Sequence, residues 1–378
     1  MKNLLLLLTI FLFISCGEDD VSTTNTNNNT QEPSIPDTFN KADMLTNWAD
    51  NIIVPAYTDF QSKLESLKVA TTNFTASQSQ EDLTELRSKY VSAYKTWQYV
   101  MMFSSIGKAD ELNINRWVNI YPTKNDLIES NIAANTTDLS LSSTNTQQGF
   151  PALDYLLYGV NNALVDGDDA IRTAYSSANY RNYLIAVVDR LSSLNQAVLD
   201  DWNGGYRNTF VQSTENTATS SVNIMANDYV YFYEKLFRTY KLGNPLAVFG
   251  GLVSSQEIES LYGKHSKELC IDALDAVENL FNGKHYANTT QGESFRSYLI
   301  FLDSRKDGEE LVPVILNQID IVRSNINLLD SDFAVSIDTN IETAYTTYDE
   351  IQRLVPILKV DMMQAFNIAG DYVDNDGD

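Results

Sequence analysis

The amino-acid sequence predicts an all-α fold built as two helical-bundle domains. Three observations predict it. From Asn40 onward apolar residues recur at three- and four-residue steps, the period of a helix with one buried face. Strict alternation of apolar and polar residues, the mark of a half-buried strand, is scarce. Polar, turn-rich breaks near 72–79, 107–125, 135–149, 201–220, 243–251 and 282–293 separate the periodic stretches. The 378 residues, 43% of them hydrophobic, suffice for roughly two domains.

The first residues read as an address. Met1-Lys2 is a short basic start, and Leu4 to Ile14 is an apolar run too short to span a bilayer. Together they read as a signal peptide over 1–15. Phe13-Ile14-Ser15-Cys16 resembles a bacterial lipobox, with Cys16 as the lipidated first residue of the mature chain. Residues 16–38 are polar, with one Val, one Ile and no aromatic residue before Thr38, and read as a flexible tether. This address places the protein in the cell envelope, held to the outer membrane by its N-terminal lipid alone and facing the periplasm or the surface. Cleavage leaves Cys270 as the only other cysteine; its apolar helical surroundings mark it as a small core residue.

The first bundle is expected over 39–205. Met44, Leu45, Trp48, Ile52, Ile53, Ala56, Tyr57, Phe60, Leu64 and Leu67 line one helical face, with Pro55 inside the run as an expected kink or break. Ser79 with Asp82 three residues on is a helix-start signal, and Leu83, Leu86, Tyr90, Ala93, Trp97 and Met101 then share a face. The polar segment 135–149 is long for a loop in a compact domain, which marks it as functional or disordered. A helix follows over Tyr180–Leu199. The stretch 201–220, with adjacent glycines, is the expected boundary. The second bundle spans 206–370, with helices expected over Val222–Tyr240, Glu257–Leu280, Ser294–Leu302, Leu311–Leu329 and Ile341–Leu358, and 371–378 is an acidic tail. The similar size and helix count of the halves allow an old duplication.

With 26 basic residues against 50 acidic ones, the net charge is −24. That excludes a nucleic-acid surface, which needs a basic face, and docking on anionic lipid by charge. It favours attraction of cations without selecting among them. Two histidines and two cysteines exclude a four-Cys zinc site and a disulfide framework. Neither acidic segment, Asp166-Gly167-Asp168-Asp169 or the closing Asp374-Asn375-Asp376-Gly377-Asp378, shows the late Glu of an EF-hand calcium loop.

The stretch Gly149-Phe150-Pro151-Ala152-Leu153-Asp154-Tyr155-Leu156-Leu157-Tyr158-Gly159 resembles the signature of the imelysin family, Gly-x-His-x-x-Glu followed by an aromatic-Leu-Leu run. Other landmarks agree in order. They are Asn51 to Tyr57, Tyr94 to Trp97, Arg116-Trp117, Tyr121-Pro122, Lys241 to Pro245, Ile258 to Tyr262 and the Asp-rich tail. The resemblance implies two helical bundle-like domains with a site near their interface. It also implies a periplasmic or lipid-anchored protein, iron uptake in many members, and in some a peptidase class or binding of metal or acidic sugars.

Here the His position is Pro151 and the Glu position is Asp154. A His and a Glu three apart on a helix share a face and could hold a metal; Pro151 supplies neither ligand nor proton. It suits the first turn of a helix. A zinc peptidase needs three protein ligands and an open position, and the chain has no His-Glu-x-x-His. A literal Gly263-x-His265-x-x-Glu268 lacks the aromatic-Leu-Leu context, and His265 between lysines reads as solvent-facing, as does His285.

Asp154 either caps its helix or accepts hydrogen bonds in a pocket, with Arg116 or Lys241 as partner. Glu259 and Ser260 either cap a helix start or join Tyr262 as the second bundle's contribution to that pocket. Trp97, Trp117, Tyr121 and Tyr155 read as core or as its walls. The leading expectation is a binding lipoprotein that captures iron, calcium or another small ligand in an inter-domain cleft for envelope uptake proteins. Gly149, Pro151, Arg116 and Lys241 flank that cleft, and the hard oxygens of Asp154 and Glu259 face the ligand. A divergent peptidase and a scaffold for another envelope protein are the alternatives.

Overall fold

The computed structural model of the chain describes residues 38–371. The expected signal peptide, Cys16, the tether before Thr38 and the tail beyond Asp371 lie outside the described residues. Those described are mostly helical, and the one sheet among them is a short hairpin pairing Arg305–Lys306 with Glu309–Glu310.

Two groups of helices share one core. In the first, Val54–Ser77, Gln80–Val100 and Ala178–Asp201 lie side by side, and Gly149–Tyr158 packs on the last two. In the second, Ser266–Phe281 packs on Leu311–Leu328, which packs on Ile341–Pro356, and Phe232–Gly243 closes the group. Gln80–Val100 and Ser266–Phe281 lie against each other and join the two groups. Among the described residues, those from Phe39 onward form one compact unit. The 201–220 stretch continues Ala178–Asp201 through a π-turn, Trp202–Tyr206, into Arg207–Gln212, and Trp202 packs edge-on against Tyr206 and Phe210.

Local signals account for most helix ends. Gln78 adopts the left-handed conformation (φ 50°) and its amide closes the Val54–Ser77 helix on the Phe74 carbonyl at 2.8 Å. The expected 72–79 break therefore narrows to Gln78 and Ser79. Ser79 caps the next helix by accepting from the Asp82 amide at 3.1 Å, as its spacing predicts. Pro55 does not kink a helix interior. A π-turn, Trp48–Ile53, precedes it and leaves Pro55 in the first turn of the new helix, where its missing N–H costs nothing.

Two expected helices differ. Val222–Tyr240 divides into the α-helix Ser221–Tyr231 and the π-helical Phe232–Gly243. Glu257–Leu280 begins as a helix only at Ser266; residues 258–265 form a turn, with Ser260 (φ 55°) and Lys264 (φ 62°) in the left-handed region. That turn builds the site described next. The long polar segment is also structured: Ser142–Gln147 is a 3-10 turn, and the buried Gln148 amide donates to the Leu139 carbonyl at 2.8 Å and the Thr144 hydroxyl at 2.9 Å.

Candidate functional site

The polar segment delivers Gly149 to a place that only glycine fits. Its φ is +78°, and a Cβ there would stand 2.3 Å from the Val118 carbonyl oxygen. Pro151 follows, buried in the first turn of the Gly149–Tyr158 helix, where its lack of N–H is tolerated. Phe150 stacks on Tyr94, with centroids 4.4 Å apart. One turn on, Asp154 is buried to 2% exposure.

The Asp154 carboxylate receives four hydrogen bonds. Tyr90 Oη and Ser260 Oγ each donate to Oδ1 at 3.0 Å, and the Gly263 amide donates to the same atom at 2.9 Å. The Tyr262 amide donates to Oδ2 at 2.7 Å. Two of these donors are backbone groups that the left-handed turn at Ser260 aims at the carboxylate. Burial raises the Asp154 pKa from its ordinary value, and the four donors oppose that rise. Neither Arg116 nor Lys241 is its partner, contrary to expectation. Arg116 is exposed and donates to the Ser142 carbonyl.

Lys241 instead pairs with Glu259, both 2% exposed. The Lys241 ammonium also donates to Gln98 Oε1 at 2.8 Å. Glu259 Oε1 accepts from Asn119 at 2.8 Å and from Gln98 at 3.2 Å. Neither Glu259 nor Ser260 caps a helix. Lys241 sits in the π-helical Phe232–Gly243 segment. Such segments re-aim side chains that a regular helix would place elsewhere.

One helix face ties the two networks together. Tyr90, Tyr94 and Gln98 stand at i, i+4 and i+8 of the Gln80–Val100 helix. Tyr90 reaches Asp154, Tyr94 donates to Asn119 Oδ1 at 2.7 Å, and Gln98 bridges Glu259 and Lys241. The sequence names Tyr94 only as a landmark of the resemblance, and its reading missed Gln98 and Asn119. The recurrence of polar-tipped side chains on an otherwise apolar face was the available signal.

The remaining candidates separate. Trp97 is core, 5.5 Å from Phe60 between centroids. Trp117 is half-buried and donates to the Leu112 carbonyl at 2.8 Å. Tyr155 Oη donates to Glu129 at 2.7 Å, and its ring meets Tyr262 edge-on at 5.4 Å. Tyr121 is half-buried and edge-on to Tyr240 at 6.0 Å. His265 does not face solvent freely: it is half-buried and its Nδ1 lies 2.5 Å from Glu268 Oε1, which Lys95 flanks through Oε2 at 3.0 Å. The literal Gly-x-His-x-x-Glu thus has a structural part, because its glycine amide holds Asp154.

The void beside Pro151, Asp154, Ser260 and Tyr262 measures about 30 Å³, room for about one or two waters. A larger cleft of about 340 Å³ adjoins the Glu259 network through Asn119 and Tyr121. Ser105, Asp110, Asn113, Arg116 and Tyr240 also line it. Among the described residues no three His, Cys, Asp or Glu side chains converge in a way that could hold a metal ion. Asp154 and Glu259 are each already filled by protein donors, so this pair does not fit a resident metal. In the first acidic segment, Asp168 pairs with Arg87 at 2.7 Å and Asp169 with Arg172. Cys270 is fully buried, and burial pushes its thiol pKa up to about 12, which keeps it unreactive.

Comparison with known proteins agrees with this architecture. The family described as Imelysin, classed as a peptidase, matches residues 53–357. The fold resembles the crystal structure of an imelysin-like protein from Psychrobacter arcticum, with a TM-score of 0.67, 16% identity and coverage of 88% of this chain and 97% of that one. It also resembles an iron-regulated protein A precursor from Parabacteroides distasonis, with a TM-score of 0.69, 17% identity and coverage of 86% and 94%. No curated protein matches the chain. With the family matched across most of its length and the fold shared with imelysin-like structures, the chain belongs to the imelysin family.

Proposed function

We propose that this chain is a lipid-anchored binding protein of the cell envelope that captures an anionic ferric complex in the 340 Å³ cleft. The signature segment clasps the two helical groups together beside it. The observation that carries this reading is the lining of the cleft. The hydroxyls of Tyr121 and Tyr240 line it with no hydrogen-bond partner among the described residues, and Arg116 adds a positive charge. Burial and the nearby Glu259 charge push the Tyr121 pKa well above its ordinary value, so its phenol stays protonated and donates.

A bare ferric ion favours several anionic oxygens. This cleft offers one carboxylate, Asp110, against one guanidinium, Arg116. A complex that brings its own carboxylates supplies its own ligands and presents negative oxygens, which hydroxyl, amide and guanidinium donors recognise. The iron-regulated name of the Parabacteroides structure and the lipobox-like start support the choice of cargo and place. A peptidase mechanism gains nothing from Pro151, which carries no titratable group, or from Asp154, whose oxygens are occupied.

The test is titration calorimetry with ferric citrate, iron-free citrate and a hexaaqua divalent ion as separate injectants. Ferric citrate is expected to bind with one-to-one stoichiometry and the others at least about tenfold more weakly. Equal binding of all three, or of none, sinks the reading.

A further inference from the structure

A second cavity, of about 430 Å³, shares no lining residue with the cleft or with the Asp154 void. Its size falls in the range of roughly 300–1,000 Å³ typical of small-molecule sites. The floor is apolar: Ile52, Phe103, Ala276 and Leu280 are all buried. Tyr99 and Tyr286 form one wall, edge to face at 6.1 Å. Their hydroxyls are committed elsewhere, Tyr286 to Asp59 at 2.6 Å and Tyr99 to Asp272 at 3.4 Å, which leaves the rings to face a ligand.

The rim is a braced loop. Asn47 donates to the carbonyls of Gly283 and Glu293 at 3.0 and 3.1 Å and ties its two ends together. Lys284 bridges to Gln291, and the Tyr286 amide donates to the Asn51 carbonyl at 2.8 Å. The Asn288 side chain accepts from the amides of Thr289 and Thr290 at the tip. This loop carries Lys284 and His285 into the cavity lining. Both are half-buried, and the side chain of neither has a carboxylate partner among the described residues. Two adjacent cationic or cation-capable groups thus stand half-buried over an aromatic floor with no carboxylate among the described residues to neutralise them. His285, which the sequence suggests is ordinary surface, is half-buried at the edge of this cavity.

We propose that this cavity is a second binding site, for a small organic anion with a flat apolar body. Lys284 and His285 take the charge as hydrogen-bonded partners. Tyr99, Tyr286, Phe103 and Leu280 bury the body. The braced loop holds the donors in place before the ligand arrives, which lowers the ordering cost of binding.

Calorimetry on the full chain tests this with naphthoate, naphthalenemethanol and naphthylmethylammonium, which share one ring system and differ in charge. Naphthoate is expected to bind one-to-one, and the alcohol and the ammonium at least about tenfold more weakly. The double variant Lys284→Gln/His285→Gln should weaken naphthoate by about tenfold or more, while Lys124→Gln, an exposed control, leaves it unchanged. A thermal melt confirms that the double variant is folded. Ferric citrate binding should not respond to the double variant, so failure here is separable from failure of the cleft reading. No naphthoate binding, equal affinity for the neutral alcohol, or undiminished binding by the double variant overturns the proposal.

Discussion

Gly263 approaches Asp154 so closely that a Cβ on it would stand 2.7 Å from Asp154 Oδ1, the atom its own amide reaches at 2.9 Å. Two helical groups meet at that contact, one supplying the acid and the other the amide. Gly263→Ala must push the turn away from the carboxylate. A loss of about 1–3 kcal/mol in urea unfolding is expected. Gly204→Ala, where a Cβ meets nothing within 4 Å, should change stability by about 0.5 kcal/mol or less.

Asp154→Asn keeps the shape and removes two acceptor lone pairs. Its new N–H groups would face donors, since two of the four partners are backbone amides that cannot reverse. Leaving a buried donor unmatched costs about 1–3 kcal/mol. The melting temperature is expected to fall, with the helical circular dichroism at 20 °C retained.

The Lys241–Glu259 pair is buried on both sides. Removing one partner strands the other, so Lys241→Met and Glu259→Gln should each cost about 3–5 kcal/mol in denaturant unfolding. The double variant should recover most of that loss. Additive losses in the double variant would show that the two side chains do not act as a pair.

Asp228 gives the pH dependence a sign. Burial, with Asp371 and Asp110 nearby, raises its pKa from 3.8 to about 8. The folded state therefore binds a proton that the unfolded state releases, and stability falls as pH rises from about 4 to about 8. Asp228→Asn should remove this slope. The variant should match the wild type below pH 4 and exceed it above pH 8, by on the order of 5 kcal/mol. A wild-type stability that rises across that window, with no change in slope on substitution, contradicts the assignment.

How much was legible follows from what each feature depends on. Helix faces such as Leu83, Leu86 and Tyr90 are written in local spacing, and the Ser79 cap in four adjacent residues, so both could be read directly. Asp154 was recognisable as a candidate site residue because the signature segment marks it. Its partners were not, because they depend on a turn at 258–265 whose composition reads as the start of a helix. Ser260 takes a left-handed conformation that a β-carbon disfavours, at the point where its hydroxyl meets Asp154 across the fold. The 232–243 π-helix was hidden for a similar reason: its apolar period is near that of an α-helix, and packing decides between them. Tyr94 and Gln98 were passed over because polar tips on a buried face look like tolerated exceptions until the groups they bond are known.

The central claim is that the signature segment is a clasp and that ligand enters the cleft beside it. Ferric citrate titration of the wild type, Asp154→Asn and Arg116→Gln, at a temperature where all three are folded, tests it most directly. The account predicts that Asp154→Asn binds with near wild-type affinity despite its lower melting temperature, while Arg116→Gln loses about tenfold. Abolished binding in Asp154→Asn with undiminished binding in Arg116→Gln would contradict it and return the ligand to the signature carboxylate.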